Sequence, residues 1–162
     1  MSLRTMAAAA VFLVLATGSA VAQDYSAAPT YGAVTLTTGF TPDPNVVNVQ
    51  SGGNVDASAL NDRPHTGNCV GNIADAPDVR LRYTAGSQFP LIISVDSRSD
   101  TTLVVNGPDG HWYCDDDGGV NGDNPAVRFA HPASGQYDIW IGTYGASALR
   151  DARLYFSEVS SR

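Results

Sequence analysis

Ten consecutive residues carry most of the chemistry this sequence offers. The run Asp115-Asp116-Asp117-Gly118-Gly119-Val120-Asn121-Gly122-Asp123-Asn124 holds four carboxylates, two amides and three glycines. Carboxylates this close repel one another, which raises their pKa values or recruits a cation. Ca²⁺ takes six to eight oxygens from carboxylates, amides and backbone carbonyls in flexible loops. Glycines let such a loop turn its carbonyls inward. No histidine lies in the run, so zinc and copper fit poorly. The Asp-x-Asp-x-Asp-Gly spacing and closing Glu of an EF-hand are both absent.

A fifth carboxylate comes from a neighbouring hairpin. Asn106-Gly107-Pro108-Asp109-Gly110-His111 is a turn with a mechanism: Pro presets φ and Gly accepts φ > 0. With Pro108 and Asp109 at its centre, Val104 faces Tyr113 and Leu103 faces Cys114. Beyond the strand ends Asp100 comes opposite Asp117. The expected calcium ligands are Asp100, Asp115, Asp116, Asp117, Asn121 and Asp123.

Other candidates for chemistry are fewer. Trp140, Tyr144 and Tyr113 are the expected stacking platform if the protein binds sugars. Trp112 shares a strand face with Cys114, and its expected place is against a disulfide. A serine peptidase needs Ser, His and Asp together with an oxyanion hole. Asp116-Asp117-Gly118-Gly119 lacks the nucleophilic Ser of a Gly-Asp-Ser-Gly-Gly loop, and of the three histidines, His65, His111 and His131, the last two read as surface strand ends. The acids crowd one loop instead of facing each other across a groove, so glycosidase chemistry ranks lower still. The expectation is a protein without catalytic activity.

The compartment follows from the N-terminus and the cysteines. Residues 1–22 combine a positive start at Arg4, an uncharged apolar stretch over 6–16 and the small-x-small site Ala20-Val21-Ala22. That is the pattern of a cleaved secretory signal, and its apolar stretch is short for a membrane span. Cys69 and Cys114 form an even pair in an exported chain, which reads as a disulfide closing a loop of about 46 residues. Localisation is expected to be periplasmic or extracellular. The partner is expected to be an unknown protein or glycan there.

The charge excludes some partners. The 162-residue chain carries a net charge of −7. Losing Arg4 with the signal leaves eight arginines against sixteen acids, or −8. An acidic domain with no lysine is a poor partner for nucleic acid or an anionic membrane.

What must position these residues is a β fold. Residues 23–30 read as a flexible leader. Nine strands are expected, at 31–37, 46–50, 79–84, 90–97, 101–106, 111–114, 126–130, 136–143 and 153–159. They are rich in Val, Ile, Tyr, Phe and Thr. Val79, Leu81 and Tyr83 alternate with Arg80 and Arg82, and Tyr137, Ile139 and Ile141 alternate with Asp138, Trp140 and Gly142. Such alternation implies one dry and one wet face, with Trp140 on the wet one. Residues 147–152 suggest one short helical turn. The fold class is all-β: a single-domain antiparallel β-sandwich, jelly-roll-like, over 31–162.

The stretch Ser99-Asp100-Thr101-Thr102-Leu103-Val104-Val105, then Cys114-Asp115-Asp116-Asp117, then Gly135-Gln136-Tyr137-Asp138-Ile139-Trp140-Ile141 resembles the bacterial pre-peptidase C-terminal domain. The resemblance spans about residues 78–158. It implies a β-sandwich that often binds Ca²⁺ and serves as an accessory to secreted enzymes. Asp100 and Asp115–Asp117 match that module's acidic positions. The module normally trails a catalytic domain, and none precedes it in this sequence, so the chain resembles a stand-alone relative.

Overall fold

The computed structural model describes residues 23–145 and 147–162, and the expected signal at 1–22 lies outside them. The strands are β1 (Ala33–Thr37), β2 (Asn45–Ser51), β3 (Val55–Asp56), β4 (His65–Thr66), β5 (Asn72–Ile73), β6 (Val79–Thr84), β7 (Leu91–Ser97), β8 (Thr101–Asn106), β9 (Trp112–Asp115), β10 (Ala126–Phe129), β11 (Gly135–Thr143) and β12 (Arg150–Ser157). Among the described residues a single 3-10 helix, Ala57–Asp62, follows β3. The first sheet runs β1-β6-β11-β8-β9-β4, with β5 attached at β11 and β3 paired to β5. The second runs β10-β7-β12-β2. The two stack as a sandwich. Pairing is antiparallel except for β1 with β6 and β4 with β9, which are parallel.

The main core fills the space between the sheets. Leu81, Tyr137, Ile139, Leu103 and Val105 face Ile93, Val95, Leu154 and Phe156. Alternation along β6 and β11 aims these side chains inward, and burying each aliphatic one stabilises the fold by roughly 1.5–3 kcal/mol. One buried polar tie closes the rim. Tyr83 Oη donates to Glu158 Oε1 at 2.7 Å, and the Gly39 N–H donates to Oε2 of the same carboxylate.

The outer face of the first sheet departs from the sequence expectation. Asp138 and Trp140 alternate with core residues, yet both are buried. The chain between β2 and β6 folds over this face and builds a second core. Leu60, Cys69, Ile73, Val104, Cys114, Trp112 and Trp140 pack there. Three two-residue strands and the 3-10 helix lie in this cover, too short to carry a readable period. Asp56 caps the helix by accepting the Ser58 N–H at 2.9 Å. The Cys69–Cys114 disulfide staples the cover to β9. Gly67, at φ +80°, passes so close to β9 that a Cβ would fall 1.9 Å from the Cys114 carbonyl oxygen, a place only glycine can take.

Three further expectations need correction. The β8–β9 hairpin pairs Val104 with Cys114 and Leu103 with Asp115, one residue out of the expected register. The turn spends an extra residue, because the Gly107 N–H donates to the His111 carbonyl while the Gly110 N–H closes back on Gly107. The helical turn at 147–152 is not formed: Arg150 already opens β12, paired with Ser51. Segment 23–30 is tied down by hydrogen bonds from the Asp24 N–H to the Asp75 carbonyl and from Arg80 to the Tyr25 and Ala27 carbonyls.

Candidate functional site: an acidic loop at one end of the sandwich

Three elements bring the acidic residues together. Asp100 sits just before β8. Asp115 ends β9 and is followed by Asp116 and Asp117, and the loop then runs through Asp123 to β10. The Thr101 N–H donates to the Asp123 carbonyl at 3.1 Å, which sets Asp123 beside Asp100. Thr101 Oγ1 donates to Asn124 Oδ1 at 2.8 Å, and Asn124 Nδ2 donates to the Ser97 carbonyl. Thr101 and Asn124 are both buried.

The electrostatics reflect that gathering. Burial raises the Asp100 carboxyl above its ordinary value, and the charges of Asp123, Asp117 and Asp116 add to the effect. Burial likewise raises Asp116, followed by repulsion from Asp117 and Asp115. The ion pairs among the described residues lie elsewhere, at Arg80–Asp138, His111–Asp109 and Arg153–Asp96. Among the described residues, no cationic side chain pairs with the acidic group to offset it.

The six expected ligands do not all act alike. Asp100, Asp116, Asp117 and Asp123 interact through their charges. Asp115 is a brace for the loop: its Oδ2 accepts the N–H groups of Gly118 at 2.7 Å and Ala126 at 2.8 Å. Asn121 turns the other way, and its Nδ2 donates to Asp96 at 3.3 Å. Among the described residues, no three acidic, histidine or cysteine side chains converge closely enough to form a metal-binding group. The donor atoms of the run are all oxygen, the type that a hard divalent cation takes. Asn124, which positions two of the loop ends, was part of the acidic run but gave no sign of its bracing role.

The aromatic platform is not built. Trp140 and Trp112 are both buried in the second core, with ring centroids 5.4 Å apart. Trp112 lies in the same cluster as the disulfide cysteines, as its shared face with Cys114 implied. Tyr113 packs against the main core, edge-on to Phe129 at 4.7 Å, with its hydroxyl on Asp109 Oδ2. Burial, reinforced by that carboxylate, pushes its phenol up to about 12. Tyr144 alone of the three is exposed, beside the acidic group, with its N–H on the Asp100 carbonyl.

His65 Nδ1 lies 2.7 Å from the Arg63 carbonyl, and His111 lies 3.6 Å from Asp109 at an exposed turn. No helix among the described residues is long and apolar enough to cross a membrane.

No family model and no curated protein matches the chain. Among solved structures it is similar to that of Aeromonas hydrophila PliG, a periplasmic lysozyme inhibitor of g-type lysozyme. Identity is 15% over 77% of this chain and 96% of that one, with a TM-score of 0.39.

Proposed function

We propose that this chain is an exported, non-catalytic accessory or binding module whose acidic end takes up Ca²⁺. The observation that carries the reading is the unneutralised group Asp100, Asp116, Asp117 and Asp123, in which the neighbouring charges help to raise Asp100. A divalent ion would replace mutual repulsion by attraction and pin the 115–124 loop to the start of β8. The ion would be structural, stabilising the folded state according to its concentration and affinity. The signal-like N-terminus, the disulfide and the motifs similar to pre-peptidase C-terminal domains support export and an accessory role.

The test is thermal unfolding of the oxidised mature protein with millimolar Ca²⁺ and with chelator. A Tm several degrees higher in Ca²⁺ is expected, with most of the difference lost in Asp117→Ala. Equal Tm values under both conditions would overturn the calcium reading.

A further inference from the structure

The other end of the β8–β9 hairpin carries a second feature, roughly 17 Å along β8 from the acidic loop. It is an open groove of about 540 Å³ between the 106–110 turn, the start of β11 and Tyr25. That is within the size range of small-ligand sites. Arg63 stands over it. Its guanidinium carbon lies 5.9 Å from the centre of the Trp112 ring, and Trp112 in turn packs on Trp140. The backbone beneath is fixed, because the Arg63 N–H caps the 3-10 helix through the Leu60 carbonyl at 3.0 Å.

Arg63 pairs with no carboxylate among the described residues, although the chain carries sixteen acids. Among the described residues the one acid in the groove wall, Asp138, is already neutralised by Arg80 at 2.6 Å and accepts the Gln136 amide on its other oxygen. The groove thus holds one uncompensated, half-buried cation on an acidic protein. A guanidinium resting on an indole keeps its edge N–H groups free, in the fork that matches a carboxylate.

The remaining lining defines the rest of the ligand. Asn106 and Gln136 offer amides, Ser134 offers a hydroxyl, and Tyr25, 52% exposed, offers a flat ring. Among the described residues no Val, Leu, Ile or Met side chain lines the groove, so an apolar peptide anchor finds no pocket in them. Hydroxyls and a ring face suit amides and a tyrosine. We propose that this groove binds a saccharide bearing a carboxylate, of the uronic acid type, with the carboxylate on Arg63 and a sugar ring against Tyr25. The site does not rest on the calcium reading, since it shares no residue with the acidic loop.

The test is calorimetric titration of the oxidised mature protein with a galacturonic acid tetramer in chelator and low salt. Its methyl-ester form and a glutamate tetrapeptide serve as further probes. Saturable binding of the acidic tetramer is expected, with at least a roughly ten-fold loss in Arg63→Gln, in Tyr25→Ala and for the methyl ester, as a lost charge-assisted contact implies. Asp117→Ala should bind as the parent does. Tyr25 is exposed and contributes to the fold through its backbone carbonyl, so its variant tests the site even if Arg63→Gln unfolds. Absence of binding, equal binding of ester and acid, equal binding by the folded Arg63→Gln or Tyr25→Ala variant, or tighter binding of the peptide would each overturn the proposal.

Discussion

Thr101 Oγ1 donates a hydrogen bond to Asn124 Oδ1 at 2.8 Å, and both residues are buried. This bond joins the first residue of β8 to the last residue of the acidic run. It holds Asp100 and Asp123, the neighbours of these two residues, near each other against their repulsion. Asn124 is further anchored to the Ser97 carbonyl at 3.1 Å. The sandwich therefore keeps like charges together with a buried, neutral clamp.

Removing the clamp is expected to cost both stability and cation response. Thr101→Val leaves the Asn124 side-chain Oδ1 buried without its partner, a loss of about 1–3 kcal/mol. With the loop freed, Asp123 moves away from Asp100 and the Tm gain on adding Ca²⁺ shrinks. Parallel melts of parent and variant, with and without Ca²⁺, check both effects. A variant as stable and as responsive as the parent would remove the clamp from the account.

The calcium response should itself depend on pH in a defined direction. Asp100 and Asp116 carry folded-state pKa values raised above those of the unfolded chain. Without cation, their contribution is fully present below the unfolded carboxyl value near 4 and is lost as pH rises through the folded values. Ca²⁺ competes with those protons, so its stabilising effect should be greatest at neutral pH and fade towards about pH 4. Melts at neutral pH, in mild acid and near the carboxyl value measure the Ca²⁺ increment directly. An increment that grew on acidification would contradict carboxylate ligation.

The legible and illegible parts of this chain separate along physical lines. All nine expected strands occur, because each spans four or more residues and carries a period-two pattern or an apolar run. The cysteine pair was legible from its parity and from the export that the N-terminal pattern leads one to expect. The cover over the first sheet was not. Its strands have two residues each, so they set no period, and it is held by capping, a disulfide and packing on Trp112 and Trp140. Without that cover in view, alternation along β11 put Trp140 in water. The acidic cluster was legible as composition. The diversion of Asp115 to two backbone N–H groups was not, because it depends on loop geometry that residue type does not encode.

Reduction of the disulfide should loosen this cover first. Cys69 and Cys114 are separated by 45 positions, and chain entropy for such a loop gives about 4 kcal/mol as an upper guide. Cys69→Ala/Cys114→Ala or treatment with a thiol reductant should lower the Tm and raise tryptophan exposure, since Trp112 and Trp140 pack with the bridge. Acrylamide quenching of the two tryptophans reads that exposure. Unchanged quenching after complete reduction would mean that packing alone holds the cover in place.

Asp78 supplies the sharpest pH test. It precedes β6, is 3% exposed, and its Oδ2 accepts the Ile141 N–H at 2.7 Å. Burial pushes its carboxyl up to about 7, partly opposed by that backbone bond. A raised acid pKa means that the folded state holds the proton longer than the unfolded chain does. Stability from this residue is therefore complete below about pH 4 and is lost as pH rises to about 7, a change on the order of 4 kcal/mol. Replacing the carboxyl by an amide would keep an oxygen for the Ile141 N–H and carry no charge. Asp78→Asn should accordingly be neutral near about pH 4 and stabilising above about pH 7, with the difference from the parent growing across that window. Urea titrations of both proteins at several pH values through this range measure it. A difference that stayed flat with pH would show that the parent's carboxylate is solvated when ionised, contrary to its burial beside β11.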